Sequence, residues 1–278
     1  HDLQIPKGTG IKTYTKNLHK SLVMLGHETK FLTSFKLPKN KILHESYVFS
    51  PEATYTSNFK SGIGLYQILG TGKHTLVEVE KSGITRATRS HPYHWLKDKK
   101  LLNAYGCFDH AHWLGKKRKM DLELVSPKSS QGQIDVLHLC QPWPLRLKNA
   151  KLVCTIHDLV PLLLPHTCQM NVDGVYSRIK RVVKNADAFC CVSESTMEDF
   201  LHFFPEAKKR SHVTYQPVKL PTPFKEEEMQ RQHRLLEEYH ILPREYYLYV
   251  GNIEPKKNVR TMLKAYSLIK SEKPLVLV

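Results

Sequence analysis

The second half of the chain alternates strand-length apolar runs with amphipathic helices, and this alternation limits the possible folds more than any other feature. Residues 134–140, 152–156 and 188–192 each predict a strand, and a helix with apolar residues at helical spacing precedes the third. Continuously apolar strands that alternate with helices are typical of a parallel sheet covered on both faces. The sequence therefore predicts an α/β fold.

The alternation restarts near the end of the chain. Residues 246–250 predict a strand, 259–270 a helix and 274–278 a further strand. A linker before them is indicated by three closely spaced prolines, Pro217, Pro221 and Pro223. We therefore predict two Rossmann-like domains: an N-terminal domain over residues 1–218, a linker and connecting helix over 219–244, and the start of a second domain over 245–278, which we expect to be incomplete.

The chain opens on a turn followed by a helix. The turn is Gly8-Thr9-Gly10, and Gly26 stands where a terminating glycine is expected. Apolar or aromatic residues recur at helical spacing between them, at Ile11, Tyr14, Leu18, Leu22 and Leu25. A short strand is predicted at residues 30–33. Because a βαβ unit places a strand before such a turn, we expect that its first strand is missing from this sequence. Residues 35–131 have a blurred pattern, which we interpret as mixed helices and loops.

Composition restricts the partners. The chain has 42 Lys and Arg against 26 Asp and Glu, a formal net charge of +16. Such a surface favours an anionic partner, either phosphate-rich small molecules or the acidic face of a membrane, or it is simply a well-solvated surface. A nucleic-acid partner is not expected, because no recognisable nucleic-acid-binding module accompanies the charge. The six cysteines form no C-x-x-C pair, which favours reduced thiols and the cytoplasm. The basic net charge would suit a peripheral position at the inner face of the membrane.

Three segments lie where open parallel sheets bind ligands, beyond the carboxyl ends of strands or at helix N-termini. They are Gly8-Thr9-Gly10, His157-Asp158 and residues 251–258. The glycines either let the backbone approach a phosphate or sugar or only complete a turn. His157 either contacts a ligand or is satisfied within the protein. The third segment combines a glycine, two lysines and a helix start, which favours phosphate contact over a solvated loop.

These motifs, in this order, resemble glycosyltransferase family 4, a family of retaining enzymes with the GT-B fold. The matching stretches are GTGIKTYTKNLHKSL, VCTIHDLVPLLLPH, ADAFCCVSESTMEDF and YYLYVGNIEPKKNVRTMLKAYSLI. The resemblance covers roughly residues 2–32 and 134–278. It implies a GT-B architecture of two Rossmann-like domains with parallel sheets, of which the second only begins in this sequence.

The resemblance also implies roles for individual residues. Gly8 and Gly10 are expected to line the acceptor side of the cleft and to approach the phosphates of the donor. His157 is expected to contact the transferred sugar near the reacting carbon. Lys257 is expected to neutralise the diphosphate as its bond to the sugar breaks.

Four further positions are expected to contact the nucleotide sugar. They are Ser193, Gly251, Asn252 and Lys256. Lys256 replaces the arginine that the family usually has, and keeps the charge without a bidentate grip. Asn252 stands where some relatives carry a phosphate-binding arginine. The paired glutamates with which the family grips the nucleotide sugar are expected beyond Val278.

The sequence thus predicts a retaining hexosyltransferase. It would transfer a hexose or deoxyhexose, with mannose favoured, from a nucleotide diphosphate sugar to a glycan or lipid-linked acceptor in cell-surface polysaccharide synthesis. No cofactor besides the donor substrate is expected. The histidine pairs at 91/94 and 110/112 lack the further ligands that a metal site needs, so no metal is expected. The alternative is a non-catalytic remnant of such an enzyme that binds a glycan or a partner.

Overall fold

The computed structural model describes residues 10–50, 72–81, 83, 85, 91, 93–127, 133–218 and 226–278. Contacts divide the chain into two compact units, one of His1–Leu159 with Asp173–Val218 and one of Val160–Val172 with Lys219–Val278. Residues 160–172 therefore belong to the same unit as the C-terminal residues. None of the described helices is both long enough and apolar enough to cross a bilayer.

The described helices and strands follow one another in an α/β order. They are α1 (Gly10–Met24), β1 (Lys30–Thr33), α2 (His44–Val48), β2 (Lys73–Thr75), β3 (Val77–Glu78), β4 (Lys100–Asn103), α3 (Cys107–Trp113), β5 (Leu122–Val125), β6 (Val136–Leu139), β7 (Leu145–Leu147), β8 (Lys151–Ile156), α4 (Val160–Leu163), α5 (Val172–Asn185), β9 (Ala188–Cys191), α6 (Glu194–Phe203), β10 (Ser211–Val213), α7 (Glu226–Glu238), β11 (Tyr247–Tyr249), α8 (Val259–Leu268) and β12 (Leu275–Leu277). Short 3-10 or π turns lie between several of them.

A four-stranded parallel sheet is the largest of the sheets described in the first unit. Its strand order is β10-β9-β8-β6. Cys154 of β8 lies opposite Leu139 of β6 on one side and opposite Phe189 of β9 on the other. Cys154 and Phe189 are completely buried. The α/β fold with a parallel sheet, predicted from the apolar runs, is confirmed.

Helices cover this sheet with the faces that the sequence pattern predicts. The buried residues of α5 are Val175, Ile179, Val182 and Val183. In α6, Phe200 is completely buried, and its ring centroid lies 5.0 Å from that of Phe189 on β9. The helical spacing of the apolar residues in α5 therefore corresponds to one buried stripe.

The prediction of mixed helices and loops over residues 35–131 was wrong in part, because β2, β3, β4 and β5 lie there. β1 pairs in parallel with β4, and β3 pairs with β4 in the antiparallel direction. These three strands form one small sheet. Another three-stranded sheet has the order β2-β5-β7, and its neighbouring strands are parallel. Short strands such as Lys-His-Thr in β2 have no period that marks them as strands, so their pairing partners decide their structure.

An aromatic cluster fills the space beside β1 and β4. Its buried members include Phe31, Phe35 and Tyr93, and Trp95 packs against it. Phe31 and Trp95 meet edge to face with ring centroids 5.2 Å apart, a favourable arrangement for aromatic rings.

Helix α1 contacts two sheets of the first unit, the one that contains β1 and the one that contains β8. His19 packs on Phe31 of β1, and the Tyr14 hydroxyl lies 3.0 Å from Thr155 Oγ1 of β8. The helix ends at Met24, and Gly26 follows as the predicted terminating glycine: its φ is +86°, which suits glycine, and the His27 amide donates to the Leu22 carbonyl. Leu25, which the helical spacing placed with the apolar face, lies just after the helix and is 73% exposed.

The second unit has a small parallel pair, β11 and β12, with α7 and α8. Val259 is the one buried side chain among the described residues of this unit, at 4% exposure. Its strands expose apolar side chains: Leu248 is 54% exposed and Val250 71% exposed. These residues form regular elements around very little core.

Candidate functional site

His157 directly follows the central strand β8, at the carboxyl end of the four-stranded sheet. Its Nε2 lies 3.1 Å from the carbonyl oxygen of Cys140, the residue after β6. Because a carbonyl oxygen only accepts hydrogen bonds, Nε2 carries a proton, and in the neutral form of the ring Nδ1 is then the acceptor nitrogen. The neighbouring strand thus fixes both the orientation and the tautomer of His157.

Tyr14 of α1 packs against His157. The two rings meet edge to face, with centroids 4.8 Å apart and planes at 89°. The tyrosine is buried, with 3% of its surface exposed. Burial is the main reason that the pKa of its hydroxyl is raised to about 12, so the hydroxyl keeps its proton. The helix that begins at Gly10 therefore holds one side of the His157 ring.

A buried hydroxyl links Tyr14 to a second histidine. Thr155 Oγ1, completely buried in β8, lies 3.0 Å from the Tyr14 hydroxyl and 2.7 Å from His138 Nε2. Burial, followed by the nearby His157, lowers the pKa of His138 to about 4, so His138 is neutral near pH 7. One arrangement satisfies all three groups: Tyr14 donates to Thr155, and Thr155 donates to His138.

The turn between β9 and α6 reaches His157 from the other neighbouring strand. Ser193 caps α6 by accepting a hydrogen bond from the Thr196 amide at 3.1 Å, and its hydroxyl also donates to Thr196 Oγ1 at 3.0 Å. Thr196 Oγ1 in turn donates to the His157 carbonyl oxygen at 3.2 Å. Ser193 is thus two hydrogen bonds from the His157 backbone.

The predicted glycine turn is only partly described. Gly8 lies outside the described residues. Gly10 is exposed as the first residue of α1, and a Cβ at this position would meet no atom within 4 Å. Packing against the described residues therefore does not require a glycine at position 10.

In the second unit, the predicted phosphate-binding loop follows β11. Gly251 has a φ of +151°, and a Cβ there would lie 3.3 Å from the Tyr249 hydroxyl, so both backbone and space favour glycine. That hydroxyl donates to the Asn252 carbonyl at 2.9 Å, and the Asn252 amide donates to Glu254 Oε1 at 3.1 Å. The Asn252 side chain is therefore held within the loop.

The two lysines of this loop differ in their partners. Lys256 Nζ lies 3.3 Å from Glu254 Oε2, whereas Lys257 makes no salt bridge with a residue that the structure describes. The hydrogen bond from Asn252, then Lys256, lowers the pKa of Glu254, which is therefore ionised near pH 7. Lys257 is thus the better placed of the two to bind an added anion.

Helix α8 begins directly after these lysines. Asn258, its N-cap residue, has a φ of +52° and makes no side-chain capping bond. A helix N-terminus without such a cap offers amide donors and the positive end of the helix dipole to an anion. The loop and the helix start therefore form one region suited to a phosphate group.

Four residues that support these sites were not identified as functional from the sequence. They are Tyr14, His138, Thr155 and Glu254. His138 and Thr155 are polar residues inside otherwise apolar strands, a pattern that indicates a buried polar contact. Their common partner is not visible in the sequence, since Tyr14 and Thr155 are 141 positions apart.

Comparisons with known proteins identify a family and two relatives. A family model described as Glycosyltransferase Family 4 matches residues 8–220. Two Escherichia coli proteins, both named serotype-specific mannosyltransferase WbdA, are 29% identical to this chain over 124 residues. The matched region is 44% of this chain and 15% of each relative.

Proposed function

Because this chain belongs to glycosyltransferase family 4, we propose that it transfers a sugar from a nucleotide diphosphate donor to a glycan or lipid-linked acceptor with retention of configuration. The observation that carries the proposal is the convergence at His157 of α1, the end of β8 and the turn that begins α6. A ligand at this sheet edge would meet a histidine of fixed tautomer beside a helix N-terminus.

We propose that His157 orients the transferred sugar. Since Nε2 donates to Cys140, Nδ1 is the nitrogen that would accept a hydrogen bond from a sugar hydroxyl. The Tyr14 ring and the Cys140 carbonyl prevent ring rotation, so this acceptor would keep one direction. A preorganised contact of this kind lowers the entropic cost of binding.

We propose that Lys257 and the start of α8 hold the departing diphosphate. Negative charge grows on the leaving group as its bond to the sugar breaks, so a fixed ammonium group and amide dipoles favour the transition state over the ground state. Asn252 and Lys256 would act less directly, because both interact with Glu254. No step of this scheme requires a metal ion.

We further propose that the sugar is mannose and that the product contributes to a cell-surface polysaccharide. The name of the two Escherichia coli relatives supports this choice. The chain spans about 15% of the length of these relatives, so a direct assay must decide the sugar.

Calorimetric titration with a panel of nucleoside diphosphate sugars that differ in base and sugar would test the donor site. We expect binding that Lys257→Ala weakens by about 10-fold or more, the effect of losing a charge-assisted contact. The matched control Lys256→Ala should have a smaller effect, because Lys256 already pairs with Glu254. If no donor binds, or if both variants bind equally well, the donor-site assignment is wrong and the non-catalytic alternative gains support.

A transfer assay would test the role of His157. With a radiolabelled donor, His157→Ala should lower kcat much more than it weakens donor binding, since the proposed contact acts at the reacting sugar. The control His212→Ala changes an exposed histidine on β10 and should leave transfer unchanged. Equal rates for His157→Ala and the parent chain would contradict the assignment.

We also propose contact with an anionic membrane face through the exposed basic residues 116–119. These residues are Lys116, Lys117, Arg118 and Lys119. Each basic residue near an anionic surface contributes about 1 kcal/mol. Co-sedimentation with vesicles should rise with anionic lipid content and should fall when Lys116 and Lys117 are changed to Gln. Sedimentation that is independent of anionic lipid would contradict this proposal.

A further inference from the structure

A pocket of about 430 Å³ opens in the first unit at the carboxyl ends of β1 and β4. Its described lining comes from the segment after β1, from β2 and β3, and from the segment after β4. Its volume lies within the range of small-molecule sites, roughly 300–1,000 Å³. Its described lining residues include none that the sequence singled out as catalytic or donor-binding.

The pocket lining carries positive charge without a carboxylate. The charge comes from Lys39 and Lys41, and no Asp or Glu is among its described lining residues. Lys41 makes an exposed ion pair with Glu80 at 3.3 Å, which contributes little. Lys39 makes no salt bridge with a described residue, so its ammonium group is the more available one for a ligand.

The walls of the pocket are held by internal hydrogen bonds. Buried His44 donates from Nε2 to the Pro38 carbonyl at 3.1 Å, and His74 Nε2 pairs with His110 Nδ1 at 2.9 Å. The Asn103 side chain accepts from the Phe35 amide at 2.7 Å and donates to the Phe35 carbonyl at 2.9 Å. These bonds fix the segments after β1 and β4, so the pocket shape is largely preformed.

The remaining lining is apolar or aromatic and includes Pro38, Val77 and Tyr105. Such surfaces pack against the C–H faces of a small ligand, while a few polar groups fix its orientation. A ligand with a compact ring and one anionic group would match both parts of the lining. A neutral ring would offer no charge for the Lys39 ammonium group to bind.

We propose that this pocket binds a sugar that carries a phosphate or a carboxylate. The binding assignment rests on the pocket alone. The role of the pocket as a subsite for an anionic group of the glycan acceptor rests on the proposed function. The two sources of charge, a sugar phosphate and a uronic acid, share the same recognition by Lys39 and Lys41.

Calorimetric titration of the full chain with four probes tests the proposal: glucose 6-phosphate, glucuronic acid, glucose and inorganic phosphate. We expect one or both anionic sugars to bind more tightly than glucose and than phosphate alone. Lys39→Gln should weaken that binding by about 10-fold, and added salt should weaken it as well. The matched control Lys36→Gln removes an exposed lysine that does not line the pocket and should leave the binding unchanged.

The probe that binds more tightly identifies the source of the charge. The proposal is overturned if neither anionic sugar binds, if glucose binds equally well, or if Lys36→Gln weakens binding as much as Lys39→Gln. Lys257→Ala distinguishes this proposal from the donor site: it should weaken donor binding by about 10-fold or more and leave anionic-sugar binding unchanged. Donor binding that persists while both anionic sugars fail would overturn the pocket and leave the proposed function standing.

Discussion

The four-stranded sheet of the first unit and the two-stranded sheet of the second have similar sequence patterns and very different burial. Cys154 and Phe189 in β8 and β9 are completely buried, whereas Leu248 in β11 is 54% exposed and Leu277 in β12 is 39% exposed. In the first unit, helices cover the strands and further strands flank β8 and β9. A parallel βαβ pattern therefore specifies strands, but neighbouring elements determine how much burial stabilises them.

The candidate sites of the two units also differ in how far along the chain their contacts reach. His157 is oriented by Cys140, Tyr14 and Thr196, which come from three separate elements. The interactions of the lysine loop in the second unit are local, such as those of Glu254 with Asn252 and Lys256. The first site is fixed by packing from distant parts of the chain, and the second by the turn itself.

The largest expected contrast is in core truncation. Phe189→Ala should lower the free energy of unfolding around β9 by about 3–5 kcal/mol, because a fully buried aromatic side chain leaves a cavity. Leu248→Ala in β11 should cost about 1 kcal/mol or less, because half of that side chain is already exposed. Hydrogen-exchange mass spectrometry resolves the two strands as separate peptides. Equal losses of protection would contradict the difference in burial.

The pH dependence of stability should come mainly from the first unit. The pKa of His138 is lowered to about 4 in the folded chain, so the unfolded chain binds more protons between about pH 6.5 and pH 4. The contribution of His138 to the free energy of unfolding is fully present above the pKa that this histidine has in the unfolded chain. As the pH is lowered through this window, the free energy of unfolding falls by roughly 1 kcal/mol per pH unit. Urea unfolding at several pH values should show this slope. His138→Gln should flatten it, and the control His212→Gln should not.

The shared hydroxyl should show energetic coupling across the first unit. Thr155→Val keeps the shape of the side chain but leaves Tyr14 and His138 without their common partner, a loss of about 1–3 kcal/mol. Tyr14→Phe keeps the ring against His157 and should cost less. In urea unfolding, the double variant should lose less than the sum of the single losses. Additive losses would show that Tyr14 and Thr155 do not interact.

The smallest expected contrast concerns the helix starts. Ser193→Ala should cost about 1 kcal/mol because it removes the cap of α6, whereas Ser193→Thr should keep most of it. Asn258 gives α8 no side-chain cap and has a left-handed backbone, so Asn258→Thr should cost about 1 kcal/mol and Asn258→Gly should be tolerated. Hydrogen exchange of the backbone amides in α6 and α8 measures the change in local stability at each helix start. A stabilising effect of Asn258→Thr would contradict the backbone argument.

Some parts of the structure could be predicted because their causes are local. The apolar stripe of α5 and the continuous apolar runs of β8 and β9 have periods that identify them. The strand-helix junctions in the sequence predict that His157 follows the end of a strand and that Lys257 precedes the start of a helix. The short strands β2 and β3 could not be predicted in this way, since two or three residues of mixed polarity show no period.

The sequence by itself determined the α/β class, the order of the principal helices and strands of the second half, and the family. These follow from the local period of apolar residues and from motifs in a fixed order. Only the tertiary structure decided that Tyr14 and His138 share the hydroxyl of Thr155. It also decided that Leu25 stays exposed and that a basic pocket lies at the ends of β1 and β4. The physical reason is that hydrogen bonds and burial depend on distances in space between residues far apart in the chain, which no local pattern encodes.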